Sequence, residues 1–189
     1  MTTTSLRKDA ARNRDRIVAV ARDLVDAGTV LQLNDIARRA GIGVGTVYRH
    51  FSTAEALLET VATPCLEALV AEGEKALADT DPWHALESFL RCTVEAQVSD
   101  ASLSPVTAAA TDALAHTTEL KQSLRSIGTT LLERARQAGV VRPDLTAADL
   151  VPLMCGIAYA TQIHSETSAD VVATAHRYLT ALLEGLRRV

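Results

Sequence analysis

Aromatic residues are scarce in this chain: one Trp, three Tyr and two Phe make up 3% of its 189 residues. Strands are enriched in aromatic and β-branched side chains, whereas alanine, which is frequent here, is the strongest helix former. Hydrophobic residues account for 48% of the sequence, so the chain can bury a sizeable core and wholesale disorder is excluded. The composition therefore favours a globular, helical protein.

Cysteines are also few, and long apolar runs are missing. Cys65, Cys92 and Cys155 stand far apart, form no C-x-x-C pair and are odd in number, so we expect reduced thiols rather than a disulfide framework. No apolar run reaches the roughly 18 residues that span a bilayer. The polar, basic stretch 1–16 lacks the apolar segment of a signal peptide. We therefore expect a cytoplasmic protein with no membrane partner.

The sequence lacks the motifs of common enzymes and of metal sites. It contains no Gly-rich phosphate loop, no nucleophile elbow and no paired-carboxylate motif. Glu87 lies at helical spacing from His84, and Asp112 lies at helical spacing from His116. Both acids are more simply surface partners of these histidines than metal ligands. No second His or Cys stands at the three- or four-residue spacing of a strong metal motif from His84, His116, His164 or His176. We predict that the chain is not an enzyme and holds no metal or other cofactor.

A net positive charge is absent as well, since the formal net charge is −4. The distribution along the chain is uneven, however. Residues 1–54 carry nine Lys/Arg and five Asp/Glu, a net charge of +4, whereas residues 55–189 carry ten and eighteen, a net charge of −8. A basic end on an acidic body can be steered onto DNA with the basic end first.

Apolar residues recur at three- and four-residue spacing along almost the whole chain, which predicts an all-α fold. Pro64 falls inside the fourth helix, which it is expected to kink or split. Asp81 followed by Pro82 predicts an N-cap and a first helical turn, and Thr146 with Asp149 resembles a capping box. The predicted helices cover about 9–27, 33–40, 44–51, 53–79, 83–99, 104–116, 118–138, 147–165 and 169–188.

Residues 33–52 read LNDIARRAGIGVGTVYRHFS and predict two short helices joined by a glycine-containing turn. This arrangement is typical of a helix-turn-helix. Ala37 is small where the second helix crosses the first, and Gly41 can adopt a positive φ at the turn. Ile36 and Val47 can bury together and fix the angle between the two helices.

The face that this packing leaves outside is polar and contains glycines. Its hydroxyl, guanidinium and imidazole groups suit phosphate oxygens and base edges. A glycine lets the helix backbone approach DNA closely, and the free N–H groups at the helix start can receive a phosphate. We predict that this face binds DNA through Gly43, Val44, Gly45, Thr46, Tyr48, Arg49 and His50.

The stretch IARRAGIGVGTVYRHF, residues 36–51, resembles the recognition region of tetracycline-repressor-type (TetR/AcrR) regulators, and the resemblance covers roughly residues 10–62. Two positions depart from the family pattern. Gln32 stands where Ser or Thr often begins the second helix, and Ala54 stands where a basic residue often grips phosphate. Because of its position, Gln32 joins the predicted DNA-binding residues.

The resemblance also implies an architecture and a mode of action. Residues 1–54 are expected to form a three-helix DNA-binding domain, and residues 55–189 a helical ligand-binding and dimerisation domain. The homodimer is expected to form through the last two helices, about 147–165 and 169–188, whose apolar character also fits a partner surface. Ligand binding in each protomer is expected to change the spacing of the two heads and release a repressor from a palindromic operator.

The resemblance further suggests which side chains line the ligand pocket. The effector is expected to be a small molecule, whose identity the sequence leaves open. For each candidate residue, core packing or the dimer interface is the alternative role. The candidates are Trp83, Phe89, Cys92, His116, Met154, Cys155 and Tyr159. Two other functions stay open: a helical small-molecule-binding protein or enzyme whose head has lost DNA binding, and a DNA-binding regulator controlled by a protein partner.

Overall fold

The computed structural model describes residues 3–164 and 168–188, and within these ranges nine α-helices follow one another. No β-strand occurs among the described residues, where a single antiparallel bridge joins Val141 to Arg187. The all-α fold predicted from the sequence is therefore confirmed. The helices are α1 (Thr3–Asp26), α2 (Leu33–Ala40), α3 (Val44–His50), α4 (Ala54–Ala78), α5 (Pro82–Ser99), α6 (Leu103–Ala108), α7 (Ala115–Gln137), α8 (Ala147–His164) and α9 (Ser168–Leu186).

Side-chain caps begin two of the long helices, close to the predicted starts. Thr53 accepts a hydrogen bond from the Ala56 N–H through its side chain and starts α4. Asp81 accepts hydrogen bonds from the N–H groups of Trp83 and His84 and starts α5 with Pro82 in its first turn. Each cap satisfies backbone donors that have no partner within the helix, so these two helix starts are confirmed.

Helices α1, α2 and α3 form a small unit, here called the head, with its own core. Ile17 of α1, Ile36 of α2 and Val47 of α3 are completely buried and belong to one apolar cluster. Leu57 and Val61, from the first part of α4, complete this cluster. The head is therefore held to the rest of the chain by buried apolar contacts along α4.

Helices α5 to α9, here called the body, pack around a second and larger core. Its fully buried side chains include Leu86 and Leu90 of α5, Leu131 of α7 and Leu179 of α9. A third cluster lies where α4 meets α6 and α7, and it contains Leu66, among others. Because α4 contributes to the head cluster and to this third cluster, it physically connects the head to the body.

The sixth helix is shorter than the sequence predicts. A helix from 104 to about 116 was expected, but α6 ends at Ala108, and α7 begins at Ala115 instead of near 118. The Lys121 ammonium donates to the carbonyls of Val106 and Ala109, at the end of α6. The Glu59 carboxylate accepts the N–H groups of residues 113 and 114, just before α7. Charged side chains from distant helices thus replace the backbone partners that a continuous helix would supply.

Pro64 does not split the fourth helix. It lies inside α4, which runs without interruption for 25 residues, and its ring is exposed. Since proline has no N–H, the ladder of hydrogen bonds lacks one donor at this point. This gap lies between the part of α4 that packs into the head core and the part that packs into the body.

Candidate DNA-binding surface and ligand cavity

The turn between α2 and α3 requires glycine. Gly41 has φ 61° and ψ 37°, in the left-handed region, and its N–H and that of Ile42 bond back to the last turn of α2. Any other residue is strained in this conformation. Ala37, which is 1% exposed, packs with Val47 beneath the turn. The turn therefore fixes the orientation of α3 relative to α2.

The structure brings the predicted DNA-binding residues together on one surface, except for one. Val44, Gly45, Tyr48 and Arg49 of α3 are exposed, Thr46 and His50 are half-buried, and Gly43 is the exposed N-cap. Arg49 donates to the Thr46 hydroxyl at 3.0 Å, so these two polar groups lie side by side. Gln32 lies apart from them at the N-cap of α2, exposed and without a side-chain capping bond.

Gly45 has no role inside the protein that requires glycine. No atom lies within 4 Å of the position that a Cβ would occupy there, and its φ is not positive. Glycine in a helix is less favourable than alanine by about 0.5–1 kcal/mol. A bare backbone at the exposed second residue of α3 therefore fits close approach of an external partner to this face.

The body contains a cavity of about 510 Å³ between α5, α6, α7 and α8. Its interior wall is mostly apolar, with Leu69 contributed by α4 and the other apolar side chains by α5, α6 and α8: Phe89, Leu90, Leu103, Leu150 and Met154. Arg125 and Thr129 of α7 and Ala148 and Val151 of α8 also line it and are exposed, so they mark its mouth. A cavity of this size and character suits a small organic molecule.

Two of the seven pocket candidates, Phe89 and Met154, line this cavity. Cys155 lies behind its wall, where its Sγ accepts from Gln97 at 3.9 Å. The other four candidates lie outside the cavity. The Trp83 ring packs under the Arg187 guanidinium, and Cys92 lines a smaller depression beside His84. His116 pairs with Glu67 at the surface, and Tyr159 is exposed on α8. Sequence reasoning did not propose Gln97, Lys121 or the threonines of the cavity wall, because no local motif marks them.

Lys121 is a buried cation in the cavity wall whose hydrogen bonds are all used. Its ammonium donates to Asp112 at 2.6 Å and to the carbonyls of Val106 and Ala109 at 3.0 and 3.2 Å. Burial by itself raises the pKa of Asp112, but the hydrogen bonds from Lys121 and Thr118 outweigh it, and that pKa lies below its ordinary value. The salt bridge between Lys121 and Asp112 balances the two charges, so it offers no free charge to a ligand.

Gln97 is the polar group of the cavity wall that lacks a full set of partners. Its side chain is buried, its Nε2 faces Cys155, and its Oε1 has no hydrogen-bond partner among the described residues. A buried acceptor without a donor is unfavourable. A hydroxyl or N–H group brought to this wall can supply the missing hydrogen bond.

A charged contact also connects the head directly to the body. Arg22 of α1 donates to the Asp100 carboxylate at 2.7 Å and to the Val61 carbonyl of α4. Burial by itself raises the pKa of Asp100, but the hydrogen bonds from Ser102 and Arg22 outweigh this effect. The pKa of Asp100 therefore lies below its ordinary value, and the carboxylate stays ionised. Asp100 lies at the corner between α5 and α6, three residues before Leu103 of the cavity wall. The cavity wall and the head therefore meet at this corner.

Two family profiles match the chain, one for each part. Residues 17–61 match bacterial regulatory proteins of the tetR family, and residues 81–188 match the C-terminal domain of transcriptional regulators described as SbtR-like. The first range contains the helix-turn-helix, and the second contains α5 to α9.

Solved structures of similar sequence cover nearly the whole chain. A TetR transcriptional regulator, SCO0520 from Streptomyces coelicolor, is 31% identical over 93% of this chain and 99% of its own, with a TM-score of 0.57. A TetR regulatory protein from Mycobacterium vanbaalenii is 30% identical over 97% of this chain and 99% of its own, with a TM-score of 0.52. The HTH-type transcriptional regulator SAR0097 of Staphylococcus aureus is 32% identical over 80 residues, and the chain spans 42% of its length.

A helix-turn-helix with an exposed, glycine-containing second helix on a helical body defines the chain as a DNA-binding transcriptional regulator. The matches place it more closely: the chain belongs to the TetR family. This is a family of regulators and not of enzymes. Across residues 3–164 and 168–188, no helix is long and apolar enough to cross a membrane, and no three His, Cys, Asp or Glu side chains cluster as metal ligands.

Proposed function

We propose that the chain is a repressor that is released from a palindromic operator when a small molecule occupies the body cavity. In this proposal residues 1–54 form the DNA-binding domain and residues 55–189 the ligand-binding and dimerisation domain. In this role the protein is located in the cytoplasm, together with the DNA that it binds. The observation that carries the proposal is the 510 Å³ apolar cavity, whose wall is tied to the head through α4 and through the Arg22–Asp100 contact.

The route from the cavity to the head consists of a few contacts. Lys121 in the cavity wall holds the end of α6, and the loop after α6 is held in turn by Glu59 of α4. Glu59 lies next to the part of α4 that packs into the head core. A ligand that moves α6 or α7 therefore pulls on α4, and it changes DNA affinity only if it binds one arrangement of the heads more tightly than the other.

The homodimer is supported by an apolar strip on α8. Val151, Tyr159 and Ile163 are 43%, 67% and 66% exposed, and their spacing puts them on one side of the helix. Large apolar side chains grouped in this way fit an interface. In a dimer formed through α8 and α9, the strip is covered and the two heads lie at the same end. Residue 165, at the end of the predicted interface range 147–165, lies outside the described residues.

The ligand that fits the cavity is mostly apolar and carries a hydroxyl or N–H group. The interior wall has no unpaired charge, because Lys121 is neutralised by Asp112. Gln97 supplies the unpartnered acceptor. Replacing Gln97 with Leu should lower the affinity for a hydroxylated compound and leave the affinity for its hydrocarbon counterpart unchanged or higher. Equal losses for the two compounds would contradict this assignment.

The test of the proposal is operator release by a cavity ligand. Apolar alcohols and their hydrocarbon counterparts are screened by thermal shift, and each hit is titrated into the protein–operator complex. The variant Ala148→Trp narrows the cavity mouth, and Ala71→Trp places the same side chain at an exposed site on α4 away from the cavity. We expect release in the wild type and in Ala71→Trp, and much weaker release in Ala148→Trp. Hits that bind tightly and leave operator affinity unchanged would contradict the proposal.

A further inference from the structure

The first helix extends well past the core of the head. Between Lys8 and Arg16 no side chain of α1 is buried, and Ile17 is the first α1 residue that enters the head core. The match to the tetR family also begins at residue 17. At 1.5 Å per residue, the 14 residues of α1 that precede Ile17 form a helix of about 21 Å.

Contacts along α1 show the direction in which this segment points. Arg22 touches the body at Asp100. Six residues earlier, Arg16 donates to the Ala40 carbonyl at the helix-turn-helix turn, and the Arg14 guanidinium lies 5.7 Å from the centre of the Phe51 ring, next to the end of α3. Followed backward, α1 therefore leads from the body contact at Asp100 to the turn of the helix-turn-helix, and its first residues precede that contact.

The segment is basic, and its charged side chains from Lys8 to Arg16 are exposed. Residues 3–16 contain five Lys/Arg and two Asp, a net charge of +3. Arg12 pairs only loosely with Asp9, at 3.8 Å, and both side chains are mostly exposed, so this contact contributes little to stability. Lys8 is exposed and has no ion pair in the described part of the chain. Lys8 and Arg12 are therefore not needed to hold the head together, unlike Arg14 and Arg16, which contact Phe51 and the Ala40 carbonyl.

We propose that this N-terminal segment of α1 is a second DNA contact, which binds phosphates of the duplex flanking the half-site. The proposal rests on the proposed role of α3 in facing DNA. The segment leaves the head core beside the turn that precedes α3, and its charge complements the DNA backbone. Lys8 lies eight residues, about 12 Å, before Arg16, which corresponds to three or four base pairs of duplex.

The test compares two charge-matched double variants. Lys8→Gln/Arg12→Gln removes two cations of the segment, and the control Lys75→Gln/Arg136→Gln removes one exposed Lys and one Arg of the body. Both control residues also sit in i,i+3 pairs with a glutamate, as Arg12 does with Asp9. Glutamine keeps the helices, because it is a good helix former. Equal thermal midpoints for the variants and the wild type establish that folding is unchanged.

The measurement is DNA affinity as a function of salt concentration, on operator and on random-sequence duplex. Each phosphate contact adds about 0.9 to the slope of log K against log salt, so four contacts in a dimer contribute about 3.6. We expect the slope of Lys8→Gln/Arg12→Gln to be shallower by about 2–4 on both duplexes and that of the control to match the wild type. Equal slopes for the wild type and the α1 variant would overturn the inference.

A second arm varies the length of the duplex. Trimming the flanks to the edge of the half-sites should weaken the wild type several-fold and leave Lys8→Gln/Arg12→Gln unaffected, so that the two proteins become equal on the short duplex. The same loss in both proteins would overturn the inference, as would binding of the segment to an acidic protein or an anionic vesicle with no effect on DNA. A failure of operator selection or of ligand release would contradict the proposed function but not the role of the segment. The comparison of the two proteins on random-sequence duplex requires neither an operator nor a ligand.

Discussion

Replacing Gly45 with Ala is expected to make the protein more stable and to weaken its binding to DNA. The structure leaves space for the new methyl group, since no atom lies within 4 Å of the Cβ position and the backbone is not in the left-handed region. Alanine in a helix is favoured by about 0.5–1 kcal/mol. Because Gly45 is the second residue of a short helix, we expect the lower end of this range, which raises the thermal midpoint by about 1–2 °C.

The same methyl group stands between α3 and the DNA in our account. The methyl group can move the helix outward far enough to lose one base contact in each half-site. Each lost contact then costs about 1–3 kcal/mol of binding free energy, which lowers the affinity about 5- to 150-fold per half-site. Fluorescence anisotropy with a labelled operator measures this loss, and thermal denaturation measures the stability. The control Ser126→Ala, at an exposed site on α7, should stabilise the protein by a similar amount and leave DNA affinity unchanged.

Two results would refute this reasoning. A variant that is less stable than the wild type would show that Gly45 has a role in folding that its surroundings do not reveal. A more stable variant with unchanged operator affinity would show that the α3 backbone does not approach DNA closely.

Four further variants test the DNA-binding surface, the coupling between cavity and head, and the buried ion pair. Tyr48→Ala should weaken binding to all sequences about equally, whereas Arg49→Ala should change the base preference by about 1–3 kcal/mol at one position; a selected motif that stays the same in Arg49→Ala would refute its role. Pro64→Ala restores the missing donor of α4 and should change the ligand-induced loss of operator affinity more than the affinity without ligand, and equal coupling would leave Pro64 as a packing feature. Lys121→Met should lower the unfolding free energy by about 3 kcal/mol at pH 7, because the largely buried Asp112 carboxylate loses its cationic partner and keeps only the hydrogen bond from Thr118. The difference from the wild type should narrow as the pH falls, because without Lys121 burial raises the Asp112 pKa and protonation then relieves the variant, whereas the wild type loses the stabilisation from its lowered Asp112 pKa only below pH 3.8; urea denaturation at several pH values that shows a constant difference would contradict this.

Local signals in the sequence were enough to predict the head. The glycine at position 41, the small Ala37 and the apolar Val47 act within about ten residues of one another, so the turn and its packing can be derived from neighbouring residues. The cap at Asp81 is local in the same sense, because a side chain and the N–H groups that it accepts lie within three residues. Features of this kind depend on short-range geometry, which the sequence specifies directly.

The body could be predicted only in part, because its decisive contacts join distant residues. The end of α6 depends on Lys121 and on Glu59, which is 54 residues away from its partner Ala113. The cavity wall depends on which helices meet in space and leave a gap between them, which no local pattern specifies, and in α8 the apolar residues are too evenly distributed to mark an inward face. Phe89 and Met154 were proposed from the sequence and line the cavity, whereas Gln97 has no local signal at all.

The central claim, that two heads of a symmetric dimer read a palindromic operator through α3, is tested most directly by selecting bound duplexes from a random pool. The account predicts a two-fold symmetric motif whose half-site centres are about one helical turn or more apart. It further predicts that the symmetric motif disappears with a monomeric variant such as Tyr159→Glu/Ile163→Glu, in which the exposed strip of α8 is charged. Selection of an asymmetric motif, or of no motif, by the wild-type protein would contradict the account.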